Sequence, residues 1–217
     1  MYQWNRRSFG TDAVSTVETM ADGRLESGTA GILAGTRVAT AAGWRPAEAI
    51  AAGDEVLTFD GGLQVVRTVR RAVLWAGGTG DVAAWPLLVP VGALGNREEM
   101  RILPGQAVMV ESDAAEEMLG DAFALLPAAA LEGVRGICRT RPAERIEVVT
   151  LVFDRDEVVF GNSGALFFCP LAADLLSAAY SQAQEGYEVL PFEVALALAD
   201  GLGGVSARAD LGMRATA

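Results

Sequence analysis

Histidine and lysine are both missing from this chain, so any chemistry it performs has to come from carboxylates, thiols and hydroxyls. Without an imidazole there is no Ser–His or Cys–His pair, and without an ammonium there is no Schiff base or Ser–Lys pair. Two groups of carboxylates are dense enough to consider. Asp154, Asp156 and Glu157 stand at the end of a β-rich run, and Glu111, Asp113, Glu116, Glu117 and Asp121 follow another. Paired carboxylates can act as acid and base, or offer oxygens to a hard cation such as Ca²⁺. The second group lacks the glycine and the spacing of an EF-hand loop, and reads as an acidic, solvated surface loop. Cys138 and Cys169 have no CxxC spacing for zinc; they could pair in an oxidising compartment, but their Gly-Ile-Cys and Phe-Phe-Cys contexts favour two small buried hydrophobes. Gly77-Gly78-Thr79-Gly80 opens no helix and reads as a flexible connection, not a phosphate loop. No metal or other cofactor is expected.

Composition narrows the classes further. Hydrophobic residues make up 51% and charged residues 21%, enough to build a core without a staple. The 17 basic residues, all arginine, face 28 acidic ones, for a net charge of −11, which argues against a nucleic-acid partner. The densest basic group, Arg67, Arg70 and Arg71, reads as solvated side chains of a strand. An arginine-only basic set with abundant Ala, Gly and Val suggests a GC-rich bacterial coding sequence. No run of about 18 apolar residues offers a membrane span. Arg6-Arg7-Ser-Phe9 is followed by polar, acidic residues rather than an apolar stretch, so no conventional signal peptide is expected and a cytoplasmic location is favoured.

Residues 1–30 show no sustained periodicity and read as an irregular arm or linker. From Ile32 onward, short β-rich runs alternate with turn signals: residues 36–40, 55–59, 65–73, 87–91, 101–110 and 144–153. Asp60-Gly61-Gly62 predicts a hairpin turn, because glycine supplies the positive φ that tight turns need. Residues 46–50 read as a single helical turn, and residues 122–131 as another. Asp154 to Glu157 reads as the turn of a hairpin that returns through residues 158–160. After Cys169, residues 170–180 and 192–199 have helical spacing, which predicts a helical C-terminal extension over 170–217. Trp4, Trp44, Trp75 and Trp85 are expected to fill the core, with Trp44 in a turn.

Three segments together resemble the Hint domain family, the self-cleaving module of hedgehog C-terminal regions and inteins. The first is Gly35-Thr36 with Gly43, Gly53-Asp54 and Val56-Leu57. The second, Leu103-Pro-Gly-Gln106-Ala-Val-Met-Val110, is similar to the family's Ser-Pro-Gln-His-Arg-Val-Leu-Val. The third, Leu151-Val-Phe-Asp-Arg-Asp156-Glu-Val-Val159 with Asn162-Ser-Gly164, is similar to Asp-Arg-His-Glu-Val followed by Asn-Gly. The resemblance implies a mainly β horseshoe of curved antiparallel strands over residues 31–169.

It also implies where the family's chemistry would sit. In the family a Cys or Ser four residues before the Gly-Thr pair attacks the preceding carbonyl, and a histidine protonates the departing amide nitrogen. Here Gly31 occupies the nucleophile's position, Gln106 the histidine's, and Asp156 that of the third segment's histidine. Ser27 and Thr29 lie too far along the backbone to replace the nucleophile. These degenerate positions, Gly31, Thr36, Gln106 and Asp156, imply a domain without self-cleavage that serves binding or assembly, with a protein partner not yet identified. The alternative is residual autoprocessing near Ala30–Gly31. On this reading Gln106 lies close to the Gly31 backbone and the Thr36 strand, and Gly31→Cys with Gln106→His restores weak cleavage.

Overall fold

The computed structural model describes residues 17–19, 23–75, 81–143, 145–171 and 187–202. The calls on Trp4, the Arg6-Arg7 pair, Gly77 to Gly80 and most of the 170–180 helix fall outside them. Sixteen short strands are the main regular structure of the described residues, in chain order β1 (Val17–Thr19), β2 (Gly23–Arg24), β3 (Ile32–Leu33), β4 (Arg37–Thr40), β5 (Gly43–Pro46), β6 (Glu55–Thr58), β7 (Gly62–Val65), β8 (Thr68–Trp75), β9 (Leu87–Val89), β10 (Met100–Ile102), β11 (Ala107–Glu111), β12 (Phe123–Pro127), β13 (Cys138–Arg139), β14 (Arg145–Val152), β15 (Glu157–Gly161) and β16 (Ala165–Cys169). Among the described residues two α-helices, α1 (Asp113–Leu119) and α2 (Phe192–Leu202), stand beside the strands with several single-turn 3₁₀ segments.

The strands form three sheets. The largest runs β12-β11-β16-β15-β4-β6-β7, with β5 beside β4. The second joins β8, β14 and β3, with β1 and β2 parallel to β8, and the third is β10-β9-β13. The other pairings between these strands are antiparallel, as expected for a mainly β Hint-like chain. Val17–Thr19 and Gly23–Arg24 therefore give the end of the N-terminal arm regular pairing, and Leu25 is buried in the cluster formed with Leu74, Ile146 and Val148.

Side-chain alternation explains the layering. In β6, Val56 and Thr58 point inward and Glu55 and Leu57 outward, the period-2 pattern of a sheet with one covered face. In β11, four consecutive residues are buried, because both faces of that strand are covered. Val108, Val110, Leu126, Val159 and Phe167 enter the main core, while Met109, Leu125 and Val158 join Phe59, Phe123, Phe168 and Tyr187 on the other face. Helix α2 packs Ala195, Leu198 and Ala199 into the main core, so this part of the C-terminal extension is helical as its spacing indicates.

The Asp60-Gly61-Gly62 hairpin forms between β6 and β7, with Gly62 at φ +66°. The β15–β16 hairpin is turned by Asn162 and Ser163, at φ +42° and +66°. Asn162 is tolerated there because its side chain replaces a missing backbone partner: Oδ1 accepts from the Arg37 N–H at 2.8 Å, and the residue is buried.

Several local expectations are corrected. β14 does not form a hairpin with β15. It pairs along its whole length with β8 and then passes into the other sheet, so Asp154 to Glu157 is a crossing between layers. Residues 123–127 are strand rather than helical turn, because β11 offers Leu125 and Leu126 a ladder; only Ala128–Leu131 is 3₁₀. The acidic run after β11 is a helix rather than a loop, since Ser112 caps α1 through its Oγ and Asp113 sits in the first turn. Trp44 and Trp75 are 41% and 44% exposed, so they do not fill the core; Trp44 lies in β5, and Trp75 stacks under Arg145 with its guanidinium 5.2 Å from the ring centroid. Cys138 is exposed, whereas Cys169 is buried. Arg67 is exposed and pairs with Asp154, but Arg71 is half-buried, donating to the carbonyls of Glu48 and Ile50 at 2.8 and 3.0 Å.

Candidate functional site

The chain reaches Gly31 by passing over Gly105. A Cβ at Gly105 would lie 2.5 Å from the Gly28 carbonyl carbon and oxygen, so only glycine lets the two backbones cross there. Gly31 immediately precedes β3, which pairs with Val148 and Val149 of β14. Its φ is +129°, a region that side-chain-bearing residues rarely enter, and a Cβ there would meet Val148 Cγ1 at 2.4 Å and Thr150 Oγ1 at 3.3 Å. Position 31 thus has neither a nucleophile nor the space and backbone shape for one.

Gln106 sits in the turn from β10 to β11 and is 3% exposed. Its Oε1 accepts a hydrogen bond from the Gly31 N–H at 2.9 Å, across 75 residues of sequence. Its Nε2 donates to the carbonyls of Ala107 and Phe168 at 2.8 and 2.9 Å. Because carbonyls can only accept, these two partners fix the amide orientation and turn its oxygen toward Gly31. The group facing the Gly31 nitrogen is therefore an acceptor, which can hold an N–H but cannot protonate a departing amide.

Around this bond lies a cavity of about 240 Å³, lined by Gly31, Gln106, Val149, Thr150, Phe168, Cys169 and other small apolar residues. Cys169 is the thiol nearest this chemistry, and its significance is not evident from spacing. Burial pushes its pKa from the ordinary 9.0 up to about 12, and the Glu157 carboxylate, its partner in the β15–β16 register, adds to the effect. The thiol stays protonated at neutral pH and is a poor nucleophile. Glu157 itself is 2% exposed and accepts from Arg155 Nε at 2.7 Å.

The other two residues picked out by sequence lie apart from this cavity. Thr36 is buried, its N–H donating to Leu33 and its carbonyl accepting from Ala47, and it borders a different cleft. Asp156 accepts from the Leu171 N–H at 2.6 Å, anchoring the chain just after β16. The structure brings Gly31 and Gln106 together and places neither Thr36 nor Asp156 with them. Among the described residues no group of three or more His, Cys, Asp or Glu is placed to hold a metal ion, and no helix is long and apolar enough to cross a membrane.

The Hint domain family model matches residues 30–166, well over half of the chain. The chain belongs to the Hint domain family. Two solved structures are similar to it. A GSH-linked, splice-inactive variant of the AceL NrdHF class 3 split intein is 16% identical, covering 66% of this chain and 99% of its own, with a TM-score of 0.44. A bacterial intein-like domain from Clostridium thermocellum is 16% identical, covering 64% and 99%, with a TM-score of 0.46. No curated protein matches. The Hint match begins one residue before Gly31 and ends inside β16, so it contains both partners of the Gly31–Gln106 bond.

Proposed function

We propose that this Hint domain no longer cleaves itself and serves as a binding or assembly scaffold. The family's reaction requires attack by the side chain of the residue at position 31 on the carbonyl of Ala30, with the Gly31 nitrogen leaving as an amine. The observation that carries the proposal is Gly31 at φ +129°, with Val148 Cγ1 2.4 Å from where a Cβ would stand. The Gln106 oxygen on the Gly31 N–H supports it, since it holds the amide in place as a structural hydrogen bond. The rival, residual autoprocessing at Ala30–Gly31, would have to recruit Cys169 or Thr150 from the same cavity. The raised pKa of Cys169 opposes the first, and Thr150 has no imidazole or ammonium to activate it.

The test is intact mass of the purified chain during long incubation with hydroxylamine or thiol. Full-length protein throughout agrees with the proposal; a product beginning at Gly31 overturns it.

A further inference from the structure

A second cleft, of about 510 Å³, shares no lining residue with the Gly31 cavity. It is bordered by Thr36 after β3, by Glu99 and Arg101 around β10, and by Arg141, Arg145 and Glu147 around the start of β14. Three guanidinium groups against two carboxylates give it a local excess of one positive charge in a chain of net charge −11. Arg101 and Arg141 are exposed and form no ion pair with another described residue, while Arg145 lies over Trp75. The walls are also strand edges. Among the described residues β10 pairs only with β9, and β14 before Val148 pairs with β8 alone, apart from the Ala34 N–H on the Glu147 carbonyl.

We propose that this cleft docks an extended acidic segment of a partner protein, laid against β10 with its carboxylates on Arg101 and Arg141. Unpaired strand edges present backbone donors and acceptors in series, which another extended backbone matches and a compact anion does not. Guanidinium groups stay charged at any physiological pH and take carboxylates bidentately, which supplies the charge selection. Glu99 and Glu147 oppose an acidic ligand, so the arginines set the preference and the glutamates limit its strength. The proposal gives the scaffold reading a partner of stated chemistry but does not depend on the loss of cleavage.

The experiment is fluorescence anisotropy of a fluorescein-labelled heptapeptide of alternating glutamate and valine, titrated with the full chain. Arg101→Gln and Arg141→Gln should each weaken binding by about threefold to fivefold, the range of an exposed charge pair, and Glu99→Gln should strengthen it. Added salt should weaken it, and a version of the peptide N-methylated at alternate residues should fail to bind. All three side chains are exposed, so an unchanged melting temperature would confirm that the variants fold. Binding that is indifferent to the arginine substitutions, equal binding of the N-methylated peptide, or displacement by citrate at similar concentration would overturn the proposal. Such a failure alongside an uncleaved chain would leave the non-cleaving reading intact.

Discussion

Gly31→Ala measures how poorly position 31 accepts a side chain. Two costs combine. Holding an alanine at the φ of +129° that glycine now adopts costs about 1–2 kcal/mol. The new Cβ would also stand 2.4 Å from Val148 Cγ1, where apolar carbons settle near about 3.5–4.0 Å, and overpacking of this kind costs about 1–3 kcal/mol. The sum is a destabilisation of about 2–5 kcal/mol, read as a lower urea midpoint at unchanged slope. A double-mutant cycle separates the two costs. Val148→Ala removes the colliding methyl but leaves φ as it is, so the pair should show a favourable coupling of about 1–3 kcal/mol and a residual penalty from the backbone. A Gly31→Ala change within about 0.5 kcal/mol of the parent, the range of a surface substitution, would refute the reasoning; so would absence of coupling to Val148.

Three further outcomes follow from the same geometry. Gln106→Ala leaves the Gly31 N–H and the carbonyls of Ala107 and Phe168 without their partner and should cost about 1–3 kcal/mol in urea unfolding, with Gln106→Glu no better because its carboxylate would face both carbonyls. Gly164→Ala puts a Cβ 2.0 Å from the Gly95 carbonyl oxygen, a backbone atom with little freedom to move, and should cost about 1–3 kcal/mol or more by the same measurement. Iodoacetamide should label exposed Cys138 at pH 8 and spare Cys169 in the folded chain. Since the folded Cys169 pKa is raised from 9.0 to about 12, the unfolded thiol ionises first, so this contribution to stability is intact below pH 9 and falls as pH rises toward 12; Cys169→Ala should flatten that part of the profile.

The fold was legible in the sequence where local chemistry decides it. The Asp60-Gly61-Gly62 turn, the 3₁₀ turn at Ala47–Ala49 and the α2 spacing each depend on neighbouring residues. Pairing between distant strands was not legible. β14 and β15 adjoin in sequence and look like a hairpin, yet β8 takes β14 into another sheet, because ladder partners are set by topology that no local pattern carries. Residues 123–127 look helical through Ala and Leu content, and β11 overrides that propensity. At the site, three aligned segments were enough to place Gln106 against Gly31. The collision of a Cβ with Val148, and the approach of Cys169 and Phe168, come from strands far along the chain and leave no local trace. Thr36 and Asp156 belong to the same motifs but serve the backbone nearby, which shows that a motif position need not be a site position.

The most direct measurement uses the double variant Gly31→Cys with Gln106→His, which returns a thiol and an imidazole to the family's positions. Incubated with excess thiol and followed by intact mass, it should remain full length, because a cysteine at φ +129° against Val148 must displace the backbone that positions the Ala30 carbonyl. This replaces the expectation, drawn from sequence alone, that the two groups would restore weak cleavage. A folded fraction should be confirmed by near-UV circular dichroism, with Val148→Ala added if the double variant does not fold. Thiol-dependent cleavage before residue 31 in the folded double variant would contradict the proposal that the shape of the site, beyond its missing side chains, has closed the reaction.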